Sequence, residues 1–364
     1  MGTDRAFNMQ RRERMMLELH RHGAVRVAEL ATLFEVSEVT VRRDIAALAQ
    51  AKMLTKVHGG AILPTVLAAA PRRTRKPATR FTVGMVVPTL DFFWPPVIAG
   101  ARTAAAVVGV DIRVRGSSYE HDEDRRQITR LLEAEQVQGL LLAPEVDAEG
   151  GDEMLAWLGA LPVPCVLMER QSPSWTPAPQ LLEWVRSDHD VGVQIAVRHL
   201  VEQGHRRIGL VVTPISPNLG HLRHGFTRAC RHLNLPDDLV FQASVRPDDP
   251  DHRAHLDEIL DRCRAVGATA LVVHSDPDAI SVTQYCGERG IAVPHDLALV
   301  SYDDELAHLG QPPLTAIRPA KGHLGRMAVE LLVSRLLEGP RRPAHRLLIV
   351  PELIIRGSSV NPPT

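Results

Sequence analysis

The spacing of apolar residues changes character near residue 80. Ahead of that point it is helical and short in range. Val27, Leu30, Ala31 and Phe34 fall at i, i+3, i+4 and i+7, and Val41, Ile45 and Leu48 at i, i+4 and i+7. Each set predicts one buried helix face. Residues 11–21 predict another helix, with Met15, Met16 and Leu19 inward. Residues 53–62 predict two short strands, because Gly59-Gly60 can supply the positive φ of a hairpin turn. From Phe81 onward, apolar runs at 83–87, 110–114, 139–143, 163–168, 208–212, 270–274 and 297–302 predict strands. Helical patterns at 97–108, 125–136, 190–203, 219–233, 251–266 and 277–289 alternate with them. Such alternation means βαβ units and parallel sheets, and its extent calls for two doubly wound lobes.

The helix beginning after Ser37 has the make-up of a DNA reader. Ser37 is a good N-cap, and Glu38 sits where the helix dipole favours an acid. Thr40 and Arg43 face away from the buried stripe, with Arg42 on the flank. Side chains of these types reach base edges and phosphates in a major groove. Only a tight turn separates this helix from the one before it, as a helix-turn-helix requires. Three helices followed by a hairpin make a winged helix-turn-helix, and Lys56 and His58 lie where a wing could touch the backbone. A solvated amphipathic helix is the alternative for the ten residues alone.

Charge supports the DNA reading by its distribution. The chain of 364 residues is 45% apolar with net charge −1, so the whole is no basic coat. Residues 1–63 are nevertheless net basic, and residues 64–80 add Arg72, Arg73, Arg75, Lys76 and Arg80 with no acid. Pro64, Pro71 and Pro77 punctuate that second stretch, which reads as a linker. The four cysteines are far apart and form no CxxC, which suits a reducing cytoplasm and argues against disulfides or zinc. No signal peptide or run of eighteen apolar residues is present, so neither export nor a membrane span is expected. No nucleophile elbow, Walker loop, dinucleotide fingerprint or metal set is found, so no enzyme activity and no cofactor are expected.

Ligands of doubly wound sheets bind beyond the carboxyl ends of strands. The first such end leads into Phe92-Phe93-Trp94, notable where aromatics are 4% of residues. Two later ends carry Ser275-Asp276 and Asp303-Asp304. Aromatic faces with carboxylates around them suit a polyhydroxylated ligand. Each acid alone could be a helix cap, and each aromatic could be core.

Two resemblances sharpen this. Glu29-Leu30-Ala31, Val36-Ser37, the run from Thr40 to Asp44, and His58-Gly59-Gly60-Ala61 resemble the DNA-binding domain of the DeoR family of bacterial regulators. Residues 81–359 resemble the effector-binding domain of LacI/GalR regulators, which have the two-lobed fold of periplasmic binding proteins. Val83 to Pro88, Arg186-Ser187-Asp188, His199 to Ile208, Val300 to Asp304, Pro312 to Arg318 and Pro351 to Ser358 carry that match. The resemblance implies effector contacts at Phe92, Phe93, Asp188, Ser275, Asp276 and Asp303. It departs from the family at Leu222, where an effector-contacting arginine is the norm, and Arg223 is the nearest basic residue.

The expected architecture is a winged helix-turn-helix over residues 1–63, a linker over 64–80, a two-lobed α/β body over 81–359 and a tail over 360–364. The expected function is a cytoplasmic, homodimeric transcription regulator, acting as a repressor. Its partners are operator DNA and a sugar-like effector. An activator, a sugar-acting enzyme and a solute-binding protein are the alternatives.

Overall fold

The computed structural model describes Met15, Glu18 and residues 24–34, 36–50, 54–57, 59–62, 79–118, 120–146, 149–172, 182–214, 216–246 and 248–360. Most of the helix expected over 11–21, His58, and residues 64–78 of the expected linker lie outside this set. The chain divides into two compact units, Met1–Lys76 and Pro77–Thr364.

The first unit contains strand β1 (Ala24–Arg26), helix α1 (Val27–Leu33), helix α2 (Glu38–Gln50), and strands β2 (Thr55–Val57) and β3 (Gly60–Ile62). Gly59 takes φ +80 at the turn between β2 and β3, which pair antiparallel with Lys56 opposite Ala61. The sheet also gains β1, which pairs with β3 and makes the order β1-β3-β2. Val41, Ile45 and Leu48 are buried against Val27, Leu30 and Met15, so the stripes read from spacing form one core. Side chains of this size each contribute about 1.5–3 kcal/mol on full burial.

The second unit is two lobes, each a six-stranded sheet with helices on both faces. Its elements run β4 (Phe81–Val87), α3 (Trp94–Val108), β5 (Val110–Gly116), α4 (His121–Glu133), β6 (Gly139–Leu142), α5 (Gly151–Gly159), β7 (Cys165–Met168) and β8 (Glu183–Ser187) in the first lobe. The second lobe follows with α6 (His189–Glu202), β9 (Ile208–Val212), α7 (Leu219–His232), β10 (Val240–Gln242), α8 (His252–Val266), β11 (Ala270–His274), α9 (Asp276–Glu288), β12 (Ala298–Tyr302) and β13 (Thr315–Arg318). Helix α10 (Lys321–Glu338) and β14 (Arg346–Ile349) return to the first lobe, and β15 (Glu352–Ile354) to the second. The sheet orders are β14-β8-β7-β6-β4-β5 and β10-β9-β11-β12-β13-β15. All pairs are parallel except β13 with β15. Strands such as β6, β9 and β11 are buried at every position, which explains their unbroken apolar runs.

Helix α10 was not predicted, yet it anchors the first lobe. Leu324, Ala328, Val329, Leu331 and Leu332 enter the core cluster that α3 also serves. The two helices approach so closely that a Cβ on Gly325 would lie 2.0 Å from the Val97 carbonyl oxygen. The chain thus crosses between lobes three times, after Ser187, after Arg318 and after Ile349.

Candidate functional site

In the first unit, Ser37 caps α2, because its Oγ accepts the Thr40 N–H at 3.3 Å and lies 2.9 Å from the Thr40 hydroxyl. This is one of the orphan donors a helix start must satisfy. The cap orients a face on which Ser37, Glu38, Arg42 and Arg43 are exposed and Thr40 is half-buried. Arg42 Nη2 donates to Glu38 Oε2 at 3.0 Å. No described residue forms an ion pair with Arg43. Val39, 71% exposed, stands on the same turn. It was not predicted, although an outward apolar side chain there suits a thymine methyl. Lys56 is exposed on β2.

In the second unit, a cavity of about 230 Å³ opens where the strand ends of the two lobes converge. The first lobe supplies Phe92 and Phe93, from the turn between β4 and α3. The second supplies Thr213, Ser216, Arg246, His274, Ser275, Asp276 and Asp303, each beyond or at the carboxyl end of a strand. Phe92 is 63% exposed and held at φ 51, so its ring is offered rather than packed. Phe93 is flanked by the Trp94 ring at 5.5 Å and by the Lys321 ammonium, 5.1 Å from its centroid.

The acids at the cavity divide by what already binds them. Asp276 accepts the Ser301 hydroxyl and the backbone N–H groups of Glu305 (2.6 Å) and Leu306 (2.9 Å). Burial pushes its pKa up, against those hydrogen bonds. Asp278 Oδ2 accepts from the Ser275 backbone and hydroxyl, a capping box for α9. Glu305 pairs with Lys321, which also donates to the Asp303 carbonyl. Asp304 is held by Arg318 and Arg356. Asp278 Oδ1 is buried without a partner, whereas the Asp303 carboxylate is partly exposed, accepts no hydrogen bond from a described residue and has His274 Nε2 at 3.9 Å. Burial lowers the pKa of His274 and keeps the imidazole neutral near pH 7, although Asp303 pulls the other way.

Five of the expected contacts, Phe92, Phe93, Ser275, Asp276 and Asp303, therefore meet at one cavity. Three do not line it. Trp94 begins α3 and turns into the first lobe's core, where it is 3% exposed. Asp188 caps α6, accepting the Val191 N–H at 3.1 Å. Arg223 is exposed, since Leu222 beside it takes the inward position on α7 and a step of one residue rotates the next side chain to solvent. The basic group at the cavity is Arg246 instead, four residues beyond β10, where it also borders an adjoining surface depression with Gln242, Ser244 and His255. An edge strand of three residues gave the sequence pattern little to mark that loop.

Residues 11–66 match the DeoR-like helix-turn-helix domain, and residues 197–359 match the periplasmic binding protein-like domain. The chain joins a DeoR-like head to a periplasmic-binding-protein-like body. Among its relatives is the arabinose metabolism transcriptional repressor of Geobacillus stearothermophilus, 26% identical over 91% of this chain and 90% of that one. The ribose operon repressor of Escherichia coli K12 is 25% identical over 76% of this chain and 82% of its own. The body shares its fold with the lac repressor dimer bound to operator and the anti-inducer ONPF. That likeness has a TM-score of 0.64 at 21% identity, covering 77% of this chain and 94% of that one. In the DeoR-like head the motif residues Thr40, Arg42 and Arg43 keep their side chains outward or at the rim, while Asp44 is buried. No described helix of head or body is long and apolar enough to cross a membrane.

Proposed function

We propose that this chain is a sequence-specific DNA-binding transcription regulator, acting as a repressor, whose operator affinity responds to a small polyhydroxylated ligand. Residues 1–63 form the operator-binding head, with α2 as reader, residues 64–80 the linker, and residues 81–359 the ligand-binding body. The observation that carries this reading is the pairing, on one chain, of an outward cationic helix in a DeoR-like head with a cavity between two lobes. Two relatives that match most of the chain are an arabinose metabolism repressor and a ribose operon repressor, which supports a sugar or polyol.

The cavity's chemistry agrees with such a ligand. Phe92 and Phe93 offer faces for the apolar side of a sugar ring, and Asp303, Arg246, Ser275 and Thr213 offer hydrogen bonds to its hydroxyls. Among the other acids lining it, Asp276 and Asp278 hold backbone and cap hydrogen bonds and Glu305 pairs with Lys321, which leaves the Asp303 carboxylate to meet a ligand hydroxyl. The regulator works in the cytoplasm as a homodimer, whose two-fold symmetry matches palindromic operators.

Selection of bound sequences from a random DNA duplex pool with the full chain tests the first half. A recovered palindrome, bound at least a thousandfold tighter than pool DNA, is the expected result. Thermal-shift screening of pentoses, hexoses and polyols tests the second, since a ligand at one hundred times its Kd stabilises by about 2.7 kcal/mol. Binding without sequence preference, or catalytic turnover of a sugar, overturns the proposal.

A further inference from the structure

A buried polar chain runs across the first of the three lobe crossings, away from the walls of the cavity. It begins at Glu169, which follows β7 in the first lobe and is 6% exposed. The Ser187 backbone N–H and hydroxyl donate to its carboxylate, the hydroxyl at 2.6 Å. His189, the first residue of α6 on the other side of the crossing, places Nε2 3.0 Å from Glu169 Oε2 and Nδ1 3.0 Å from the Tyr302 hydroxyl. His189 and Tyr302 are 1% and 0% exposed. Burial raises the Glu169 pKa, but hydrogen bonds from His189 and Ser187 outweigh it and hold the carboxyl below its usual range. In the neutral imidazole, Nε2–H then donates to Glu169 and Nδ1 accepts from Tyr302.

Tyr302 links this chain to the ligand wall. Its ring lies 5.4 Å from that of His274, and Asp303 is the next residue, held at φ 90. Its hydroxyl reaches α6 only because position 192 is glycine. A Cβ there would sit 2.4 Å from the hydroxyl and 3.0 Å from Pro351 at the third crossing. Two buried arginines flank this chain, Arg170 donating to the Glu169 backbone carbonyl at 2.8 Å and Arg186 to that of Ser187 at 3.0 Å. Burial raises the Tyr302 pKa, and the acids Asp303, Glu169, Asp188 and Asp190 raise it further.

We infer that His189 is a positioning residue that fixes the angle between the lobes, by bonding Glu169 of one lobe and Tyr302 of the other at once. A buried, fully bonded polar bridge has few alternative geometries, so it selects a lobe orientation rather than merely adding stability. Occupancy at the His274 and Asp303 wall acts on the same bridge through Tyr302. That the angle governs operator affinity rests on the proposed function; that His189 sets the angle does not.

Electron–electron distance measurement between spin labels tests it in the ligand-free full chain. Arg102→Cys on α3 and Arg228→Cys on α7 give exposed label sites in the two lobes, while all four native cysteines are buried. Labelled chains diluted into unlabelled ones restrict the readout to distances within one chain. His189→Ala and Glu169→Ala should at least double the width of the distance distribution. Glu169→Gln, which keeps an acceptor for Nε2–H, should leave it narrow. Tyr302→Phe, which keeps the ring and removes only the hydroxyl, should give an intermediate width and serves if His189→Ala fails to fold. A wild-type width in folded His189→Ala, or in Tyr302→Phe, overturns the inference even where the melting temperature falls. Failure to select an operator would remove the regulatory reading and leave this result standing.

Discussion

Arg42 Nη2 lies 3.0 Å from Glu38 Oε2, one turn back on the same exposed helix face, whereas the adjacent Arg43 pairs with no described residue. The ion pair holds the Arg42 guanidinium along the helix, at both partners' exposure a contribution of about 0.3–0.5 kcal/mol. Arg43 is left to point outward. Arg43→Ala should therefore weaken operator binding by about 1–3 kcal/mol and relax preference at one base position. Arg42→Ala should weaken all sequences alike. Fluorescence anisotropy with the selected operator and single-base variants distinguishes them. Equal, sequence-independent losses in both would remove Arg43 as a base reader.

Asp276 and Asp303 sit at the same cavity, yet the same substitution should do different things to them. Asp276→Ala orphans the buried Ser301 hydroxyl and two partly buried N–H groups. Each orphan costs about 1–3 kcal/mol, so urea denaturation should show a large loss of stability. Asp303→Ala breaks no hydrogen bond accepted by its carboxylate among the described residues. It should leave the urea midpoint nearly unchanged and cost about 1.5–3 kcal/mol in ligand affinity by calorimetry. Normal ligand affinity in folded Asp303→Ala would make that acid a structural feature of the β12 end.

That division marks how far the sequence could be read. Continuous apolar runs announced β9 and β11, because strands covered on both faces have no polar positions to break the pattern. Strand β14, a sheet edge with alternate residues exposed, carried no such signal. Helix α10 does carry apolar residues at helical spacing. Its partner α3, however, lies far earlier in the chain, and no local pattern says which lobe it joins. Sequence placed Asp276, Asp303 and Asp304 at strand ends, but only the surrounding donors tell which are committed. Trp94 follows two cavity aromatics in the chain, and the start of α3 rotates it into the core. Arg246 was hidden because its loop follows the short edge strand β10.

Arg246 should behave as a specificity group. Its partner Asp248 lies at 3.3 Å, and both side chains are substantially exposed, so the pair itself adds little stability. Arg246→Ala should leave the urea midpoint within about 0.5 kcal/mol of wild type. Ligand affinity should fall roughly tenfold or more, as loss of a hydrogen bond to a charged group costs about 1.5–3 kcal/mol. Arg223→Ala, on the exposed side of α7, should leave affinity unchanged. The reverse ranking in calorimetric titration would restore Arg223 as the substitute for the arginine absent at Leu222.

Acid should loosen the body before its carboxylates titrate. His199 is 4% exposed, and its Nε2 lies 2.8 Å from the Ser359 hydroxyl, which donates onward to Thr315. Burial lowers its pKa, with Glu202 nearby opposing the shift, and His274 is shifted the same way by burial. A histidine with a lowered folded pKa binds its proton first in the unfolded chain. Stability is therefore intact above the ordinary imidazole value of about 6.5 and declines as pH falls below it. Glu169 and Glu183 are shifted down from carboxylate values, so their contribution is lost only at lower pH, as it falls below the ordinary carboxyl range. Melting temperatures between pH 8 and pH 5 should thus fall in wild type, with a shallower slope in His199→Gln, whose amide can still donate to Ser359. An unchanged slope in that variant would mean His199 titrates alike in the folded and unfolded chain.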